Sequence, residues 1–536
     1  MIDPGLMPPL MFGALIVFMM LGYPVAFSLA ALGLSFGFLS VGLGFFDANF
    51  LQAVPERIFG NVLANDLLLA IPFFTFMGSV LEKCGLAEDM LDSMGQLFGP
   101  VRGGLGYSVI LVGFILGAIT GTVAAQVIAM ALISLPVMMR YGYNMKYATG
   151  VLAASGTITQ LVPPSLVLVV LADQLGKSVG DMYLGAWGPS IIQVLLFFIY
   201  TWFITRIKPA WLPAVPKGFR TLRGLALWRK CLWGIIPCAV LIFLVLGTLL
   251  MGLATPTEGG AMGAVGAILL AVLRHPQLGR HRMVSWTGLG AGGIAVLIGV
   301  FAFKSVPFKV ATAVLYGAIA WLCLRAAVIP ELRTLIWRGT QATMRLTAMV
   351  VFILIGSNCF SVVFQGVRGG PWLEHMLTGL PGGAWGFLTV VNLFVFFLAF
   401  FLDFFEIAFI IVPLLAPVAK TILTPMVGAD AALIWFGVVL CVNLQTSFMH
   451  PPFGFALFYL RGVAPKEVKS SDIYWGALPW VGLQLVLVAL VIAFPQQVTM
   501  FLDAPVNVDL KNIQIEIPPP ADDPAESSSS TPEPPN

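Results

Sequence analysis

The stretches GTITQLVPPSLVLVVLAD (156–173) and LQTSFMHPPFGFALFYLRG (444–462) each set a Pro-Pro pair, 163–164 and 451–452, inside an apolar run. A proline within a spanning helix removes a backbone hydrogen bond and frees a carbonyl, and two adjacent prolines do so twice. Each run is therefore predicted to unwind at membrane depth, which lipid tolerates only where the backbone lines a site. Periodicity alone leaves a second reading open, in which both are structural helices kinked at proline. The surroundings favour the first. The segments GDMYLGAWGPS (180–190) and SSDIYWGALPW (470–480) follow the two runs and carry matching prolines, Pro189 and Pro479. The chain thus holds an internal repeat.

Outward from the first run lies a stretch, 103–139, with no Asp, Glu, Lys or Arg over 37 residues. It is too long for one spanning helix of about 20 residues and short for two with a loop. Its centre, GAITGTVAA (117–125), is a helix-poor Gly/Thr patch with no polar connector. A re-entrant hairpin over about 107–140 fits, with its tip near mid-membrane. The second half has a similar stretch at about 385–425, centred on FFLDFFEIA (400–408). Broken helices are expected at about 147–172 and 432–460. Further spans are expected near 5–21, 25–45, 62–81, 186–205, 231–252, 257–273, 285–303, 308–325, 346–366 and 475–495. Met1 to Leu21 lacks a basic region and contains Asp3, so it reads as a first span and not a cleavable signal. The amphipathic segment 82–102, with Glu82, Lys83, Glu88, Asp89 and Asp92, reads as an interfacial helix.

Composition agrees with a lipid-embedded chain. Of 536 residues 59% are hydrophobic and 10% charged, against about 25% charged in an ordinary soluble domain. Mean hydropathy is +0.95. A water-soluble enzyme, a disordered chain and a nucleic-acid binder are excluded. The formal charge of +3 hides a split: from Asp503 onward there are seven acids and one lysine, and the remainder carries 27 basic and 18 acidic residues. The tail 503–536, rich in Pro, Ser and acids, is predicted to be disordered. Basic residues orient the spans. The segment 207–230, with Lys208, Lys217, Arg220, Arg223, Arg229 and Lys230 and no acid, is placed in the cytoplasm, as are 274–282 and a loop at 325–345. Counting spans from there puts the first hairpin's mouth inside and the second's outside, with both termini periplasmic. Two halves, 1–206 and 231–500, then form an inverted repeat, the architecture of secondary transporters.

Chemistry is expected where backbone is interrupted. Freed carbonyls and hydroxyls suit a hard cation such as Na⁺, and half-helix N-termini suit a carboxylate. Thr157, Thr159 and Ser165 flank the first Pro pair; Thr446 and Ser447 precede the second. Each break should face its hairpin tip, Thr120–Gly121–Thr122 or Phe401–Leu402–Asp403. Asp403 and Glu406 stand in an apolar run, where acids are costly and usually functional; they make either a cation or proton site or a solvated tip. His450 either titrates or is a hydrogen-bonded spacer. Glu258 is expected to cap a helix at Thr255 or Thr257, and Lys304 and Lys309 to snorkel. The six cysteines, Cys84, Cys231, Cys238, Cys323, Cys359 and Cys441, are scattered without CxxC and read as small buried apolar residues. No GxxxxGK[ST], HExxH or GxSxG motif is present, so neither ATP hydrolysis, zinc-protease chemistry nor an α/β-hydrolase nucleophile is expected. An integral-membrane enzyme built on Asp403 and Glu406, or a channel, remain the other classes.

At these residues the chain resembles the large membrane subunit of the tripartite ATP-independent periplasmic (TRAP) transporters. The likeness runs through LGYPVAFSLAALGL (21–34), LLAIPFFTFMGSVLEKCGLAEDML (68–91), GAITGTVAAQ (117–126), LPVMMRYGYN (135–144), VPPS (162–165), ATPTEGGAMGA (254–264), FFLDFFEIAFIIVPLLAPV (400–418) and HPPFGFALF (450–458). It implies an all-α polytopic membrane protein of two inverted-topology repeats, each with a re-entrant hairpin and a discontinuous Pro-Pro helix, moving as an elevator. It implies Na⁺-coupled import of an organic acid (carboxylate) across the bacterial inner membrane and no enzymatic activity. The implied partners are a small four-helix membrane subunit, not fused at this N-terminus, and a periplasmic substrate-binding protein. Thr120, Thr122, Gly156, Thr159, Val162 and Pro164 would then serve one cation. Asp403, Thr446, Ser447 and Met449 would serve a second, with Thr122, Ser165, Asp403 and His450 at the substrate. An alternative is a proton-coupled or other anion carrier of the same fold working without a binding protein. The chain departs from the family pattern in three ways. Thr120–Gly121–Thr122 replaces the usual Ser-Gly-Ser and keeps both hydroxyls. His450 stands where Thr is usual. A helix pair at about 285–325 and the acidic tail are additions. These suggest a divergent branch, for monocarboxylates or 2-oxo acids in place of C4-dicarboxylates.

Overall fold

The computed structural model describes residues 4–216, 224–275, 317, 319–451 and 454–502. Among the described residues all regular structure is helical. Nine helices there are long and apolar enough to cross a membrane, or up to eleven if two bent pairs each count as one span. Of the expected pair at about 285–325 only a helix over Ile319–Val328 is described. Residues 217–223, Lys304, Lys309 and the tail 503–536 lie outside the described residues.

The first hairpin has a leading arm, Gly104–Thr120, and a returning arm, Val123–Arg140. Gly121 (φ +62°) and extended Thr122 make the turn; the left-handed conformation at 121 is one that only glycine adopts without strain. At the base, the Tyr143 hydroxyl lies 3.3 Å from the Leu105 amide, so the arms run antiparallel. Asn144 then caps the next helix, Met145–Thr157, accepting from the Lys146 amide at 3.0 Å. That helix stops. A 3₁₀ turn, Ile158–Gln160, leads into the Pro pair, and helix restarts as Leu166–Leu175 under a Ser165 cap. The reading as a merely kinked helix is thereby set aside.

The second half repeats this order: arms Gly383–Leu398 and Phe404–Val427, helix Ala429–Leu444, 3₁₀ turn Gln445–Met449 and helix Phe455–Val463. Each half closes on a long helix bearing an internal proline, Val179–Ile207 with Pro189 and Ser470–Ala493 with Pro479.

Small residues set the packing distance, as helices in lipid require. A Cβ on Gly78 would sit 1.8 Å from the Thr120 carbonyl oxygen, so the first hairpin tip lies on the helix Ala70–Glu82. A Cβ on Gly113 would meet Ser155, and one on Gly156 would meet Val127, so both arms press on the broken helix. One sequence expectation needs correction, the loop at 325–345, and one segment gains detail. The segment read as interfacial forms a helix, Leu86–Phe98, whose apolar residues Leu86, Met90 and Met94 are buried. Its apolar face packs on protein, and ion pairs Arg274–Asp89 and Lys230–Asp92 hold its polar face. The expected loop at 325–345 is mostly helix: Arg333, Arg338 and Arg345 belong to the single helix Pro330–Gly366. At 1.5 Å per residue it is roughly 55 Å long, longer than a bilayer core of about 30 Å. Its basic end can therefore stand clear of the hydrocarbon. Thr255 and Glu258 form a capping box at the start of Pro256–Arg274.

Candidate functional site

The first centre forms where the hairpin tip crosses the break, and it is organised by a residue absent from the sequence expectations, Gln126. The Gln126 Nε2 donates to the Gly113 carbonyl at 2.7 Å and the Ser155 carbonyl at 3.1 Å. Its Oε1 receives the Thr120 hydroxyl at 3.1 Å and also contacts the Thr159 hydroxyl. The Thr159 hydroxyl lies 2.9 Å from the Gly156 carbonyl. Three of the six expected ligands, Thr120, Gly156 and Thr159, thus converge on one buried cluster of neutral oxygens. The other three surround it less directly. Thr122 is half-buried, makes no side-chain cap, and its carbonyl accepts from the Gln126 amide at 3.4 Å. Val162 donates its amide to Ile158, and Pro164 is buried in the bend beyond. Ser165 is committed to the restart: its hydroxyl accepts from the Val167 amide at 3.2 Å and bonds the Gln160 carbonyl. Two sequence signals mark Gln126: it is the only amide side chain in the charge-free stretch 103–139, and it ends the family-like stretch GAITGTVAAQ (117–126).

Gln160, in the same turn, is buried with neither its Nε2 nor its Oε1 partnered. An amide left open in a dry interior is costly, so these atoms are available to a bound polar group.

The second centre is built differently. Asp403 and Glu406 form a reciprocal capping box: Asp403 Oδ1 accepts from the Phe404 amide at 2.6 Å, and Glu406 Oε2 accepts from the Asp403 amide at 2.9 Å. The pair therefore starts the returning arm Phe404–Val427. In the 3₁₀ turn of the same half, the Thr446 and Ser447 hydroxyls each donate at 2.7 Å to carbonyls of the preceding turn, those of Asn443 and Leu444, and neither hydroxyl bonds the Asp403 or Glu406 carboxylate. Asn443 ties this turn to the leading arm, donating to the Asn392 carbonyl at 2.7 Å. His450 is buried with Phe400 stacked on it at 4.1 Å and Phe396 edge-on at 4.5 Å. The backbone of Ala399 approaches the ring without completing a hydrogen bond. Beside it opens a cavity of about 340 Å³ walled by Phe396, Phe400, Tyr474 and Trp475. The two centres adjoin: Met449 Sδ of the second lies 3.8 Å from the Thr157 hydroxyl beside the first.

Helices that stop at proline pairs, hairpins folded onto the breaks and buried polar groups at both crossings define a multi-pass helical membrane permease. The family model described as "Tripartite ATP-independent periplasmic transporter, DctM component" matches residues 12–497, and the chain belongs to that family. It is a transporter component and not an enzyme. The C4-dicarboxylate TRAP transporter large permease protein DctM of Vibrio cholerae is 27% identical over 91% of this chain and 95% of its own. The 2,3-diketo-L-gulonate TRAP transporter large permease protein YiaN of Escherichia coli is 26% identical over 90% of this chain and 95% of its own. Among solved structures, the Alcanivorax borkumensis YdaH transporter is similar with a TM-score of 0.48 and 15% identity, over 87% of this chain and 98% of that one.

Proposed function

We propose that this chain is the large permease of a Na⁺-driven importer of an organic acid. The observation that carries the reading is the buried cluster of Thr120, Gln126, Thr159 and Gly156 oxygens at the first crossing. Neutral hydroxyl, amide and carbonyl oxygens without a carboxylate match a hard monovalent cation. Asp403, Thr446, Ser447 and Met449 are assigned to a second cation. The substrate carboxylate lies between the tips, near Thr122, Ser165, Asp403 and His450, where the N-terminus of Leu166–Leu175 supplies positive potential. Both relatives are named for carboxylic acids, which supports that class of substrate. The family description, tripartite and periplasmic, supports a small membrane subunit and a periplasmic binding protein as partners.

The protein sits in the bacterial inner membrane with both termini outside. Its hairpins open on opposite faces, and the two repeats move together as an elevator. Each net positive charge crossing 100 mV contributes about 2.3 kcal/mol, so two Na⁺ carrying one monocarboxylate, a net charge of one, support about fiftyfold accumulation from the potential alone, and the Na⁺ concentration gradient adds to it. The test is uptake of candidate acids by proteoliposomes holding all three components. Collapse of the Na⁺ gradient at constant pH is expected to abolish accumulation. Uptake that follows a proton gradient, or that proceeds without the binding protein, would replace this reading with a carrier of the same fold and different coupling.

A further inference from the structure

We propose that Gln193 and Gln484 are positioning residues, each holding the cation-binding turn of the opposite repeat. The proposal rests on the Na⁺-coupled reading above. Gln193 lies in the long helix Val179–Ile207 of the first half, four residues after Pro189. Its Nε2 donates to the Gln445 Oε1 at 2.6 Å, and Gln445 Nε2 lies 3.3 Å from the Gln193 Oε1. Gln445 opens the 3₁₀ turn of the second half. Gln484 lies in the long helix Ser470–Ala493 of the second half, five residues after Pro479. Its Nε2 donates to the Thr157 hydroxyl at 2.9 Å and approaches Met449 Sδ at 3.8 Å. Thr157 closes the helix just before the 3₁₀ turn of the first half.

The two bridges meet the same position of the two broken helices, from amides four and five residues after the matching prolines. Laying the first Pro pair on the second, residue 163 on 451, puts Thr157 on Gln445. The same position of each broken helix is therefore held by an amide from the other repeat. All four side chains are buried, so water offers no alternative partner and the bonds are kept or left open at a penalty. What they hold is the backbone that presents Gly156 and Thr159 on one side and Thr446 and Ser447 on the other. Met449, assigned to the second cation, lies against both Thr157 and Gln484. A cation that orders one turn thus stabilises the helix that holds the other turn, which links the two ions.

The test uses the complete three-component transporter in proteoliposomes, reading the Na⁺ dependence of uptake and, separately, the substrate KM at saturating Na⁺. In Gln193→Leu and Gln484→Leu the half-saturating Na⁺ is expected to rise about fivefold or more, the loss of one buried hydrogen bond. The Hill slope should fall toward one, and the substrate KM should stay within about twofold. Thr157→Val should reproduce Gln484→Leu, and Thr157→Ser, which keeps the hydroxyl, should behave as the parent. Because valine matches threonine in shape, this pair decides the matter if the leucine variants do not assemble. Unchanged Na⁺ dependence in Thr157→Val and the assembled leucine variants overturns the proposal. So does an equal loss in both Na⁺ and substrate parameters, which would mark a general packing role. Indifference of the parent protein to Na⁺ would overturn the coupling reading as well, before any variant is made.

Discussion

Gln126 shows how much one side chain decides at the first crossing. Its amide satisfies two carbonyls on different helices while its oxygen gathers two hydroxyls. Gln126→Leu leaves the Gly113 and Ser155 carbonyls without that donor in a dry environment, so a loss of about 1–2 kcal/mol is expected. It would register as a lower melting temperature in detergent, together with a higher Na⁺ requirement for uptake. Asp403 separates two roles in one residue. Asn caps a helix about as well as Asp, so Asp403→Asn should leave the melting temperature unchanged. The half-saturating Na⁺ should nevertheless rise, because the proposed second cation site would lose a formal negative charge. If neither quantity moves, Asp403 is a cap alone.

Between elements, the decisive feature is how closely the hairpin tip approaches its neighbour. A methyl group on Gly78 would meet the Thr120 backbone oxygen at 1.8 Å, and backbone cannot step aside as a flexible side chain can. Gly78→Ala is therefore expected to displace the tip and reduce uptake at least about tenfold, since a misplacement of about 1 Å can cost on that order or more at a functional site. Gly13→Ala, where nothing lies within 4 Å, is the matched control and should be silent. Full uptake by Gly78→Ala would mean that the tip position does not matter to transport. The helix Leu86–Phe98 carries the amphipathic pattern read in the sequence. Its apolar stripe is real, but a stripe says only that something apolar covers it, and here that cover is protein.

At the scale of the whole molecule, the inverted arrangement makes a sidedness prediction. Lys146, beyond the first hairpin, and Ala429, beyond the second, are both exposed. The six native cysteines are buried or half-buried. A membrane-impermeant thiol reagent applied to intact cells is expected to label Ala429→Cys from outside and to reach Lys146→Cys only after permeabilisation. Labelling of both from one side would remove the opposed orientation. Much of the helical layout was legible in the chain itself. Proline removes a donor wherever it stands, a stretch of 37 residues both apolar and uncharged avoids water, and Thr255 with Glu258 caps within one turn. These are local consequences of residue chemistry, and a linear reading reaches them. The sequence alone also determined the membrane class, the doubled unit with its Pro-Pro interruptions, and the family resemblance. Only the tertiary structure decided that Gln126 joins Thr120 to Thr159 and that each repeat's long helix reaches across to the other's turn. Those pairings link helices far apart along the chain, Gln193 to Gln445 and Gln484 to Thr157. A buried polar atom takes whichever partner folding brings near, which local order does not specify.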